Sequence, residues 1–127
     1  MTGWDPAATA LLRILPQTAR GPKRDGVFAL WLAVRVARDA AGPAPPSERA
    51  HRRRVVALQQ RLSSLTLPPP LRRALAAALA ELMEGDSMTP ARVLSQLVAP
   101  ARDAVGQEAA EAIAGAVRAA RQERTHE

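Results

Sequence analysis

The apolar positions fall into helical stripes, and proline or glycine separates one stripe from the next. Leu11, Leu12 and Leu15 follow Asp5-Pro6, a cap residue with proline in the first turn; they predict a helix over about 6–19, bent at Pro16. After the turn Arg20-Gly21-Pro22, Asp25 is expected to cap a second helix running to about Asp39. The run 41–46, Ala-Gly-Pro-Ala-Pro-Pro, reads as a stiff extended connector. Ser47 then caps a third helix over about 48–66, with Val55, Leu58, Leu62 and Leu65 on one stripe. Three prolines, 68–70, break the chain and open a fourth helix over about 69–84, ended by Gly85. Its stripe is Leu71, Leu75, Ala78 and Leu82, flanked by Leu79. Thr89-Pro90 opens a fifth helix over about 90–100, and a sixth runs over about 103–121. Ile113 and Val117 form its inner face with Ala109, Ala116 and Ala120 between them, small residues that let a neighbouring helix approach closely. No segment alternates as a strand would. The expectation is all-α: a compact bundle of five or six helices in a single domain, 1–121, followed by a polar tail, 122–127.

The second helix is unlike the others. Val27, Leu30, Trp31 and Val34 make one face, Phe28, Leu32 and Val36 a second, and Ala29, Ala33 and Ala37 a third. A helix that is apolar nearly all round is either central in its bundle or shared with a partner. Phe28 and Trp31 are two of three aromatic residues in the chain, and aromatics are favoured interface anchors. Phe28, Trp31 and Leu32 are therefore the interface candidates, and Trp31 is expected to be largely buried.

A chain of 127 residues is one domain's length, long enough to bury a core without metal or disulfide support. It contains no cysteine, which excludes disulfides, thiolate metal sites and cysteine nucleophiles, and leaves a reducing, cytoplasmic setting as the expectation. The N-terminus does not read as a secretory signal. The longest uninterrupted apolar stretch, Val27–Val34, is far short of the ~20 residues of a membrane span, so no integral membrane segment is expected.

Catalytic chemistry finds no constellation. His51 borders the stripe of the third helix and His126 lies in the tail. No His pair stands at i, i+4, and no Glu-x-x-His repeat is present. Glu81, Glu84 and Asp86 cluster at the end of the fourth helix, with Glu81 and Glu84 expected on its solvent side. The seven glycines are too scattered for a phosphate-cradling loop. The expectation is a non-enzymatic protein with no cofactor and no metal.

Charge is the remaining signal. The net charge is +6, and residues 1–73 carry 13 basic and 4 acidic side chains against 5 and 8 in residues 74–127. Arg is the basic residue throughout except at Lys23, and with abundant Ala this is also what GC-rich coding produces. Arg20, Lys23 and Arg24 precede the second helix, Arg49, Arg52 and Arg53 share the outer face of the third, and Arg72 and Arg73 open the fourth. Guanidinium groups suit phosphates and carboxylates alike, through bidentate hydrogen bonds. Two readings follow. The preferred one is a helical interaction module, self-associating or acting as a subunit of a larger bacterial assembly, with the second helix supplying apolar contact. The alternative is a nucleic-acid-binding subunit whose arginines grip the phosphate backbone. No aromatic interleaves with these arginines for base stacking, so such binding would be weakly sequence-selective.

Overall fold

Proline and glycine set most of the helix boundaries. The computed structural model describes residues 4–18, 20–41, 47–84 and 89–125. Among these, six α-helices and no strand occur: α1 (Trp4–Ile14), α2 (Pro22–Ala41), α3 (Glu48–Ser63), α4 (Pro69–Glu84), α5 (Thr89–Val105) and α6 (Gln107–Thr125). A short 3-10 turn, Leu15–Gln17, with Pro16 inside it, ends α1. The all-α bundle is as the pattern predicts. The caps at Asp5 and Thr89, the stop at Gly85, the connector 42–46 and His126 lie outside the described residues or side chains.

Several boundaries differ from expectation, and the first and third helices end a few residues early, at Ile14 and Ser63. Asp25 is not a cap: α2 begins three residues earlier, at Pro22, behind Gly21 with φ +132°. The Asp25 carboxylate instead accepts the backbone N–H of Thr66 at 2.8 Å, which ties the α3–α4 loop to the start of α2. Further on, α5 continues through Pro100 and ends at Gly106. There φ is +120°, a backbone conformation for which glycine is the natural residue. Its N–H donates to Ala101 and Arg102, while its carbonyl accepts from Ala110 and starts α6. Helix α6 then runs through Thr125, into the segment that the polarity of 122–127 marks as tail.

Helix α2 is the hub, packing against all five other helices. Val27, Ala29, Leu30, Ala33, Val34 and Ala37 are buried along it. Gly26 is small for a steric reason: a Cβ there would lie 2.8 Å from Val105 and 3.0 Å from Leu71. Around this axis Leu11, Leu71, Leu75, Leu79, Leu94, Leu97 and Ile113 are fully buried. Each such side chain contributes about 1.5–3 kcal/mol of transfer free energy. Helices α5 and α6 form the most extensive pair, and α6 meets its neighbours through buried Ala109, Ala110, Ala112, Ala116, Ala119 and Ala120.

Helix α3 is the outlier. Among the described residues it packs only on α2 and α4 and buries only Val55, Leu58 and Leu62, while Leu65 beyond its end is half-buried. Ser47 caps it, accepting the Ala50 N–H at 3.2 Å. Polar ties hold it at both ends. His51 Nε2 donates to the Leu82 carbonyl at 2.7 Å, satisfying one of the acceptors left over at the end of α4. Arg54 pairs with Asp39 at 2.9 Å.

Candidate functional site

The ties that hold α3 also fix its direction. Asp25 meets Thr66 and Asp39 meets Arg54, so α3 lies antiparallel to α2. This splits the basic residues that the sequence singles out. Arg20, Lys23 and Arg24 stand at the start of α2, next to the end of α3 and the start of α4, where Arg72 and Arg73 lie. Arg49, Arg52 and Arg53 stand at the opposite end, on the exposed face of α3. They do not form one patch.

Their states differ as well. The Arg72 guanidinium donates to the Leu65 carbonyl at 2.7 Å and braces the loop between α3 and α4, a structural task. Arg24 is half-buried, and Arg20, Lys23 and Arg73 are exposed. Arg52 pairs along the helix with Glu48 at 3.3 Å, an exposed contact worth a few tenths of a kcal/mol. Arg49 and Arg53 make no ion pair among the described residues, and with Val56 and Gln60 they line a shallow face of α3.

Between these two ends runs the seam of α2 and α3. It contains a groove of about 520 Å3 lined by Phe28, Leu32, Arg35, Val36, Asp39, Arg54, Ala57, Leu58 and Arg61. Its floor is apolar. Phe28, Leu32 and Val36 are only partly buried although they sit on the central helix of the fold. Trp31 is partly buried too, packed against the core but not enclosed by it. Most of its surface is out of solvent, as expected, and the remainder stays open.

The aromatic and basic groups of the seam are organised together. Phe28 and Trp31 stack with ring centroids 6.0 Å apart and planes 24° from parallel. The Arg35 guanidinium lies over Trp31 at 4.8 Å, and the Arg61 guanidinium over Phe28 at 5.5 Å. A stacked guanidinium uses its face and keeps its in-plane N–H donors for a second group. Sequence reading finds the interface candidates Phe28, Trp31 and Leu32 but misses Arg35, Arg54 and Arg61. Arg35 stands at i+4 from Trp31, a legible spacing. Arg61 over Phe28 depends on the α2–α3 register, for which no local signal exists.

Elsewhere polar chemistry is structural. Glu81 is on the solvent side of α4 as expected but only partly open, and its Oε2 turns toward α5, where it meets Arg92 Nε at 3.5 Å. That oxygen is buried without a hydrogen bond among the described residues. The Arg92 charge compensates it. Glu84 is exposed, as expected. Among the described residues no cluster of His, Asp or Glu has the composition of a metal site. No helix there is long and apolar enough to cross a membrane. Compared with models of known protein families, with curated proteins and with solved structures, the chain matches none.

Proposed function

We propose that this protein is a non-enzymatic helical interaction module, a self-associating unit or a subunit of a larger assembly, and that the α2–α3 seam is its contact surface. One observation carries the reading. The central helix of the bundle leaves Phe28, Leu32 and Val36 only partly buried along a groove, with partly buried Trp31 stacked on Phe28 beside it, and one more covering helix would complete a core. Partly buried aromatics beside arginines have the composition of interface hot spots. The matched test is Leu32→Glu, which places a charge on the groove floor without touching a fully buried side chain. The tagged wild-type chain, isolated from its own cells, is expected to sediment above 13.6 kDa as a defined complex, with itself or with another chain. The variant is expected to sediment as a folded monomer. A wild type that stays monomeric and alone overturns the reading.

A second reading rests on the exposed arginine face of α3. Arg49 and Arg53 make no ion pair among the described residues and support contact with a phosphate backbone. If they and Arg52 each neutralise one phosphate, changing all three to Gln lowers the salt dependence of nucleic-acid binding by up to about three units of slope. Fluorescence anisotropy with labelled duplex and single-stranded DNA measures it. No binding by the wild type at low salt ends this reading.

A further inference from the structure

We infer that the occupant of the α2–α3 groove is an acidic amphipathic helix of another protein, held by its apolar face on Phe28, Leu32 and Val36 and by its carboxylates on Arg35 and Arg61. The inference rests on the interaction-module reading and names the chemistry of the partner. Both arginines line the groove, and each is stacked on an aromatic ring, not paired with a carboxylate, among the described residues. Stacking restricts the guanidinium in advance while its in-plane N–H edge remains available to a carboxylate. The one carboxylate in the groove, Asp39, is already neutralised by Arg54 at 2.9 Å. The groove therefore offers an apolar strip with cationic margins, and its complement is an apolar stripe with acidic margins.

Other occupants fit less well. A nucleic acid has no apolar stripe for Leu32 and Val36, and the faces of Phe28 and Trp31 are already taken up by each other and by guanidinium groups. A second copy carries the same net charge of +6. Of its acidic residues on α6, Glu108 and Glu111 share their surface with Arg13 and Arg118 and present no acidic stripe.

The probe is a fluorescein-labelled peptide of about five helical turns with leucines at i, i+4 and i+7 and glutamates flanking them. It is titrated with the full chain beside a scrambled peptide, a Glu-to-Gln peptide and a labelled DNA. The wild type is expected to bind the designed peptide at least about tenfold more tightly than the other three probes. Arg35→Gln combined with Arg61→Gln, and separately Leu32→Glu, are each expected to weaken that binding by about tenfold or more. Circular dichroism confirms that both variants stay folded. Equal binding of designed and scrambled peptides, tighter binding of DNA, or unchanged binding by the double-arginine variant overturns the inference. The two readings fail differently. If the peptide fails while the wild type still sediments as a complex that Leu32→Glu dissolves, the acidic-helix occupant is wrong and the interaction module stands.

Discussion

At the residue scale, two glycines in the same helical region call for opposite substitutions. Gly106 has φ +120°, and a Cβ there meets nothing within 4 Å, so its requirement is conformational and not spatial. Gly106→Ala is expected to cost about 1–3 kcal/mol, the strain of an L-residue in such a region. Gly115 lies within α6, and a Cβ there meets Arg118 at an ordinary 3.6 Å. Gly115→Ala is expected to add about 0.5–1 kcal/mol by restricting the unfolded chain and improving helix propensity. Denaturant unfolding of both variants gives the two signs. Trp31 belongs to the same scale. Removing a fully buried aromatic costs ~3–5 kcal/mol. Half-buried Trp31 is expected to fall below that range, at about 1–2 kcal/mol, because part of its ring never leaves water on folding. A loss above about 3 kcal/mol in chemical denaturation contradicts the half-buried placement.

At the element scale, what could be read in advance depended on where the punctuation was local. Helix α4 has the predicted bounds, since the triple proline opens it and its stripe of Leu71, Leu75, Ala78 and Leu82 faces inward as spaced. The α5–α6 boundary was misplaced because Pro100 resembles a terminator while the actual break is made by the backbone of Gly106. Tertiary packing of buried Leu94, Leu97 and Ala101 carries α5 across the proline. Pro100 leaves the Gln96 carbonyl without its usual i+4 donor. Pro100→Ala restores that donor and is expected to stabilise the chain by about 1–3 kcal/mol, read as a raised thermal midpoint. The candidate surface was legible in half. The excess apolar surface of α2 marked Phe28, Trp31 and Leu32, and Arg35 stands one turn from Trp31 on the same helix, but Arg54 and Arg61 come from a pairing of α2 with α3 that no local spacing encodes. Arg72, one of the phosphate candidates, instead braces the α3–α4 loop through the Leu65 carbonyl, a contact across a turn that its own helix does not announce.

At the scale of the whole molecule, burial is distributed unevenly, and α3 is the element with least of it. Among the described residues it packs on two neighbours only and buries three large side chains, whereas α2, α4, α5 and α6 share the fully buried leucines and alanines. Its polar ties, His51 to Leu82, Arg54 to Asp39 and Asp25 to Thr66, are partly or fully exposed, so each adds on the order of 1 kcal/mol or less. Local opening is cheapest where few apolar contacts must be given up. Native-state hydrogen exchange is therefore expected to show the amides of α3 opening at a lower free energy than those of α5 and α6, which open only with the global transition. The seam is built from this least buried helix and the hub of the bundle, α2. An occupant of the groove touches both Leu32 of α2 and Arg61 of α3, and must oppose the opening. Adding a saturating acidic amphipathic peptide should then raise the protection of α3 selectively, by RT ln(1 + [L]/Kd), about 2.7 kcal/mol at a hundredfold excess over Kd, up to the global limit. Protection that is uniform across all six helices, with or without peptide, would mean that α3 is as firmly part of the core as the rest and that the seam does not open.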